Sequence, residues 1–157
     1  MATDPVPATS SPLIPMLVCR NVGAQLEFCT TVFDAVEVSQ RPGPDGNVVH
    51  ALIKIGDAMV IIEGEWPTLT NRAPQGDGSS PVVIFLYVKD VDAVAQRAQD
   101  AAATILAPPQ NQFWGDRTTR ILDPSGHVWL AASRIEETSE GERAQRWSDI
   151  VKPKKVQ

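Results

Sequence analysis

His50 and Glu63 flank a two-residue turn signal, Gly56-Asp57, set between the β-type runs Val48–Ile55 and Ala58–Glu63. Two residues between strands signal a tight hairpin, with glycine taking the positive φ of a II′-type turn. Closing the hairpin at Ile55 and Ala58 puts Leu52 opposite Ile61 and His50 opposite Glu63. Directly opposed residues hold their Cβ atoms about 5 Å apart. An imidazole beside a carboxylate can serve as a general base whose tautomer the carboxylate fixes. The same counting around Asp123-Pro124-Ser125-Gly126 pairs Leu122 with His127, Thr119 with Leu130 and Arg117 with Ala132. Arg117 then becomes the counterpart of His50, suited to bidentate binding of a carboxylate or phosphate. Trp114 beside it can stack on a flat ligand. In one reading these are the few polar groups that orient a ligand in an apolar pocket. In the other they form a rim salt bridge worth ~0–1 kcal/mol, with Trp114 as a covering ring.

The elements that must position these groups follow from periodicity. Leu13–Cys19 reads as a strand, Asn21 as a helix N-cap, and Val22, Leu26, Cys29 and Phe33 as the buried stripe of a helix. Val36–Arg41 is a strand stopped by Pro42-Gly43-Pro44-Asp45-Gly46, and the hairpin completes a β-α-β-β-β order. Residues 65–81 gather Pro, Gly, Asn, Asp and Ser and read as a linker or mobile loop. The order then repeats: strand Val82–Val88, N-cap Asp90, a helix buried along Val91, Val94, Ala95, Ala98 and Ala102, and strands Thr104–Ala107, Arg117–Leu122 and His127–Ala132. Leu17-Val18-Cys19-Arg20-Asn21-Val22 matches Leu86-Tyr87-Val88-Lys89-Asp90-Val91 at a separation of 69 residues, so the chain reads as a duplication. The modules span residues 13–64 and 82–134, after an arm over 1–12. The remaining residues, 135–157, form a helix and tail. Ser139-Glu140-Gly141-Glu142 is a capping box there, Pro153 limits the helix, and Trp147 docks on the body or on a second subunit.

Composition narrows the partners. The chain has 157 residues, 43% hydrophobic and 21% charged, enough for one folded core with tail to spare. A net charge of −5, with Lys/Arg clustered only at Lys152–Lys155, argues against nucleic acid. No apolar run reaches the ~18 residues of a membrane span, and the N-terminus has no signal-peptide core. Cys19 and Cys29 make no disulfide framework; they read as buried thiols of a reduced, cytoplasmic protein. His127 and Trp129 fall on the other strand face and read as structural. The acidic balance suits a neutral or cationic small molecule, whereas Arg117 argues for an anionic group.

Tandem β-α-β-β-β modules ending in Asp123-Pro124-Ser125-Gly126-His127-Val128-Trp129 resemble the vicinal oxygen chelate superfamily, the glyoxalase/bleomycin resistance/dioxygenase fold. Within it, His50–Asp57, Trp114-Gly115-Asp116-Arg117 and the charged C-terminal helix look most like the PhnB-like branch. The resemblance implies an α+β fold with a curved, cup-shaped mixed sheet and a C-terminal helix. It implies a small-molecule ligand in the cup and a homodimer. It places the family's four metal-ligand positions on Ile14, Ile61, Val83 and Leu130, all aliphatic, so no metal and no other cofactor are expected here. The expected ligand contacts are His50, Glu63, Arg117, Trp114, Tyr87, Phe85 and Met16. His50 and Glu63 are also the catalytic candidates of an alternative reading, an isomerase, lyase or dioxygenase of the same superfamily, its metal ligands displaced if it uses one.

Overall fold

A computed structural model describes residues 3–152; Met1, Ala2 and residues 153–157, with Pro153 and the Lys154-Lys155 pair, lie outside it. The first module runs β1 (Met16–Cys19), α1 (Val22–Phe33), β2 (Val36–Pro42), β3 (Val48–Ile55) and β4 (Ala58–Gly64). The second runs β5 (Val83–Tyr87), α2 (Val91–Asp100), β6 (Thr104–Asn111), β7 (Asp116–Leu122) and β8 (Val128–Arg134), and α3 (Glu140–Val151) follows. Each module forms its own four-stranded mixed sheet, ordered β1-β4-β3-β2 and β5-β8-β7-β6. Asn21 and Asp90 cap their helices by accepting the backbone N–H of Ala24 and Ala93. Among the described residues no helix is long and apolar enough to cross a membrane.

Strand parity decides which side of each sheet is buried. Leu17, Ile53 and Ile62 of the first sheet and Ile121, Trp129 and Ala131 of the second join α1 and α2 in a single core. The Phe33 ring lies 4.6 Å from that of Trp129, across the two modules. Both sheets therefore turn their helix-bearing faces toward each other, and their opposite faces look outward. The α1 stripe is broader than its apolar spacing predicts. Gln25 and Phe28 are buried with Cys29, while Leu26 sits at the edge. Ala102 is exposed rather than buried, because α2 ends at Asp100 and Ala102 takes a left-handed φ of 58°.

Asp123 explains the motif at the β7–β8 turn. Its buried carboxylate accepts from the backbone N–H of Ser125 and His127, from Trp129 Nε1 and from Gln25 Nε2 of α1. His127 Nε2 lies 2.8 Å from the Val18 carbonyl, a further tie between the modules. The segment 65–81 is seated rather than loose. Arg20 donates to the carbonyls of Pro74 and Ser125, and a Cβ on Gly126 would meet Gly76 backbone at 3.0 Å. The Ser139 capping box forms as expected. α3 buries no residue but docks on the body, with Trp147 stacked 5.5 Å from Phe113 and Arg146 paired with Glu136.

Candidate functional site

The first hairpin closes as its turn residues require. Gly56 takes φ 58°, and the register runs Ile55–Ala58, Leu52–Ile61, His50–Glu63. His50 Nδ1 lies 2.6 Å from Glu63 Oε2, and the two side chains are 24% and 14% exposed, so the pair meets solvent without being immersed in it. The other carboxylate oxygen accepts from Trp66 Nε1 at 2.6 Å. Both oxygens of Glu63 are thus held. A proton on Nδ1 leaves Nε2 as a lone-pair acceptor, and Nε2 has no protein partner among the described residues. Sequence reasoning missed Trp66, because it stands just beyond β4 in a segment read as linker. Met16 lies on the same face of β1, 52% exposed.

The second hairpin departs from its expected register by one residue. Leu122 pairs with Val128, Thr119 with Ala131, and Arg117 with Ser133. The reason is the Asp123 side chain, which holds the Ser125 and His127 amides and leaves a three-residue turn closed by the Asp123 amide on the His127 carbonyl. A slip of one residue exchanges the faces. Arg117 consequently lies on the helix side, where it makes a two-pronged bond to Asp92 of α2 at 2.8 and 2.9 Å. Its guanidinium is raised above its ordinary basicity by that carboxylate. Val18 opposite Glu63 matches Tyr87 opposite Ala132 at the repeat distance, so the counterpart of His50 is Thr118, which faces Ala132.

The outward face of the second sheet carries its own polar group. Asp116 is fully buried, and its carboxylate accepts from Arg134 Nε at 2.6 Å, Tyr87 Oη at 2.8 Å and Trp114 Nε1 at 2.8 Å. Burial alone pushes the Asp116 carboxyl up, but the three donors and the guanidinium charge outweigh it and hold it below the usual carboxylate range. Tyr87 and its neighbour Phe85, rings 5.1 Å apart, remain 56% and 46% exposed. Sequence reasoning did not single out Asp116 and Arg134; the signal was Trp114-Gly115-Asp116, read only as a fold marker. Gly115 takes φ 95°, and a Cβ there would stand 2.5 Å from the Glu136 carbonyl oxygen.

The structure therefore groups the candidates in two sets. His50, Glu63 and Met16 share the first outward face, Tyr87, Phe85 and Trp114 belong to the second, and Arg117 belongs to neither. Cys19 and Cys29 are buried, and burial pushes the Cys19 thiol up to about 12 and Cys29 upward as well. Such thiols are poor nucleophiles. Of the four positions where the fold's metal ligands are expected, Ile61, Val83 and Leu130 line the outward faces and Ile14 precedes β1. None has a lone pair to offer, and no group of three or more His, Cys, Asp or Glu among the described residues is arranged to hold a metal ion. These residues do not fit a divalent metal.

The profile of the glyoxalase/bleomycin resistance protein/dioxygenase superfamily matches residues 13–130, and the chain belongs to that superfamily. Uncharacterized proteins of Mycobacterium bovis and Mycobacterium tuberculosis are 37% identical over 142 residues, 88% of this chain and 91% and 81% of theirs. Among solved structures, TioX from Micromonospora sp. ML1 superimposes with a TM-score of 0.64 at 23% identity, covering 80% of this chain and all of that one. The fosfomycin resistance protein FosX from Mesorhizobium loti gives 0.58 at 20% identity, covering 85% and 97%. A point mutant of FosX from Listeria monocytogenes, complexed with Mn(II) and a dihydroxypropylphosphonic acid, gives 0.62 at 15% identity, covering 88% and 97%. At these identities the likeness is one of fold.

Proposed function

We propose that this protein binds a small molecule, without a metal, in cups formed between the outward sheet faces of two copies of the chain. The carrying observation is the makeup of those faces: aliphatic side chains at the expected metal positions, with half-exposed Met16, Phe85 and Tyr87 around them. Because the helix sides share one core within the chain, the two outward faces cannot close on each other, and a second copy supplies the missing wall. The Trp114 segment and the α3 helix packed beside it support a PhnB-like placement, and two free buried thiols suit a reducing cytoplasm. Elemental analysis of protein purified without chelator is expected to show no stoichiometric divalent metal, and sedimentation is expected to show a dimer. Nickel, zinc or iron at unit occupancy, or a monomer that binds ligand, would overturn the reading. A thermal-shift screen over aromatic and glycopeptide-like compounds supplies the ligand.

A second reading is favoured by one feature, the 2.6 Å His50–Glu63 contact with Nε2 open. On this reading His50 is the general base of an isomerase or lyase. Recovery of a screened ligand in altered form after incubation with the protein, and unaltered with His50→Ala, decides for it.

A further inference from the structure

We infer that the cup takes an anionic ligand with an apolar body, and that Arg41 and Arg120 are the cations that draw it in. The inference rests on the small-molecule reading above and adds the charge of the ligand to it. The sequence as a whole points the other way, since its net charge is −5. The strand registers sort those charges by face. On the first sheet Arg41 pairs with His50, and Lys54 pairs with Met59, so both basic residues share the outward face with Glu63. On the second, Arg120 pairs with Leu130, and Arg134 pairs with Asp116, again on the outward face.

Both carboxylates on these faces are already engaged. Glu63 is held by His50 and Trp66, and Asp116 by Arg134, Tyr87 and Trp114. Arg41, Lys54 and Arg120 have no hydrogen-bonded or ionic partner among the described residues, and both arginines are exposed. The outward faces thus carry uncompensated positive charge on an otherwise acidic molecule. Arg41 is the more telling of the two. Directly opposed residues keep their Cβ atoms about 5 Å apart, so Arg41 and His50 project side by side from the same outward face. An acid group there meets a guanidinium and an imidazole together, while the rest of the ligand lies against Met16, Phe85 and Tyr87. Arg120, next to Leu130, supplies a cation from the opposite wall.

Two dyes that differ only by a sulfonate test this on the full chain: 8-anilinonaphthalene-1-sulfonate and neutral N-phenyl-1-naphthylamine, titrated by fluorescence. The sulfonate dye is expected to bind about tenfold more tightly, the worth of a hydrogen bond to a charged group. Arg41→Gln and Arg120→Gln are each expected to weaken it about three- to tenfold and to leave the neutral dye unchanged. Lys152→Gln, at the C-cap of α3 and paired with Asp149, is expected to change neither. Neutral dye binding as tightly as the anion, or arginine variants that bind the anion as well as the parent chain, would overturn the charge assignment alone. Failure of both dyes to bind would overturn the binding-cup reading and this inference with it.

Discussion

Each sheet carries one carboxylate on its outward face, and the two are held in opposite ways. Asp116 is sealed from water and saturated by an arginine, a tyrosine and an indole. Glu63 keeps a sliver of exposure and spends one oxygen on a histidine whose far nitrogen stays open. A saturated buried ion locks geometry, whereas a half-buried one with an unfilled neighbour leaves chemistry available. The same order of strands occurs twice in the chain. In the second module they anchor the Trp114 turn and the start of the tail, and in the first they present an imidazole.

That contrast breaks most visibly at Asp116. Asp116→Ala strands a tyrosine hydroxyl and an indole N–H, and unpairs Arg134. It should lower unfolding free energy by about 3 kcal/mol, the low end for a broken buried pair because Arg134 still touches water. Glu63→Ala should cost about 1 kcal/mol, because its partners His50 and Trp66 both still reach water. Equal losses in urea melts would erase the distinction. Gly115→Ala comes next. Its left-handed φ and the Glu136 oxygen in the way predict about 2 kcal/mol lost, with near-ultraviolet circular dichroism reporting a disturbed Trp114.

The pH dependence sharpens the comparison. The folded Asp116 carboxyl sits below its unfolded value of about 3.9, so its contribution is complete above that pH and fades as pH falls through the folded value. The stability gap between the parent chain and Asp116→Asn should therefore stay level above about pH 5 and shrink below about pH 4. A gap that widened on acidification would reverse the assignment. The smallest effect is expected at Arg117. Arg117→Gln should leave ligand affinity unchanged, because its partner Asp92 lies on the helix side; a loss of binding would return it to the cup.

Local patterns carried most of the fold. Asn21 and Asp90 announce their helices because a short side-chain acceptor satisfies an otherwise unpaired amide. Gly56-Asp57 fixes the first hairpin because two residues allow only one closure, and that closure brings His50 to Glu63. The second hairpin was legible as a hairpin but not in register, since the turn length depends on where the Asp123 side chain bonds. That carboxylate also serves Gln25, 98 residues away in sequence, a partner no local pattern reveals.

The sequence by itself determined the repeat, the strand faces of the first module, the aliphatic occupants of the expected metal positions and the proximity of an imidazole to a carboxylate. Tertiary structure alone decided that Arg117 leaves the outward face and that Asp116 and Arg134 pair on it. It also decided that Trp66 reaches back to Glu63, and that the two modules bury their helices against each other. The physical reason is range. Turn closure and capping act over a few residues, and strand alternation needs only a turn to start from. Burial of a carboxylate and the choice of which faces meet depend on side chains contributed by distant elements.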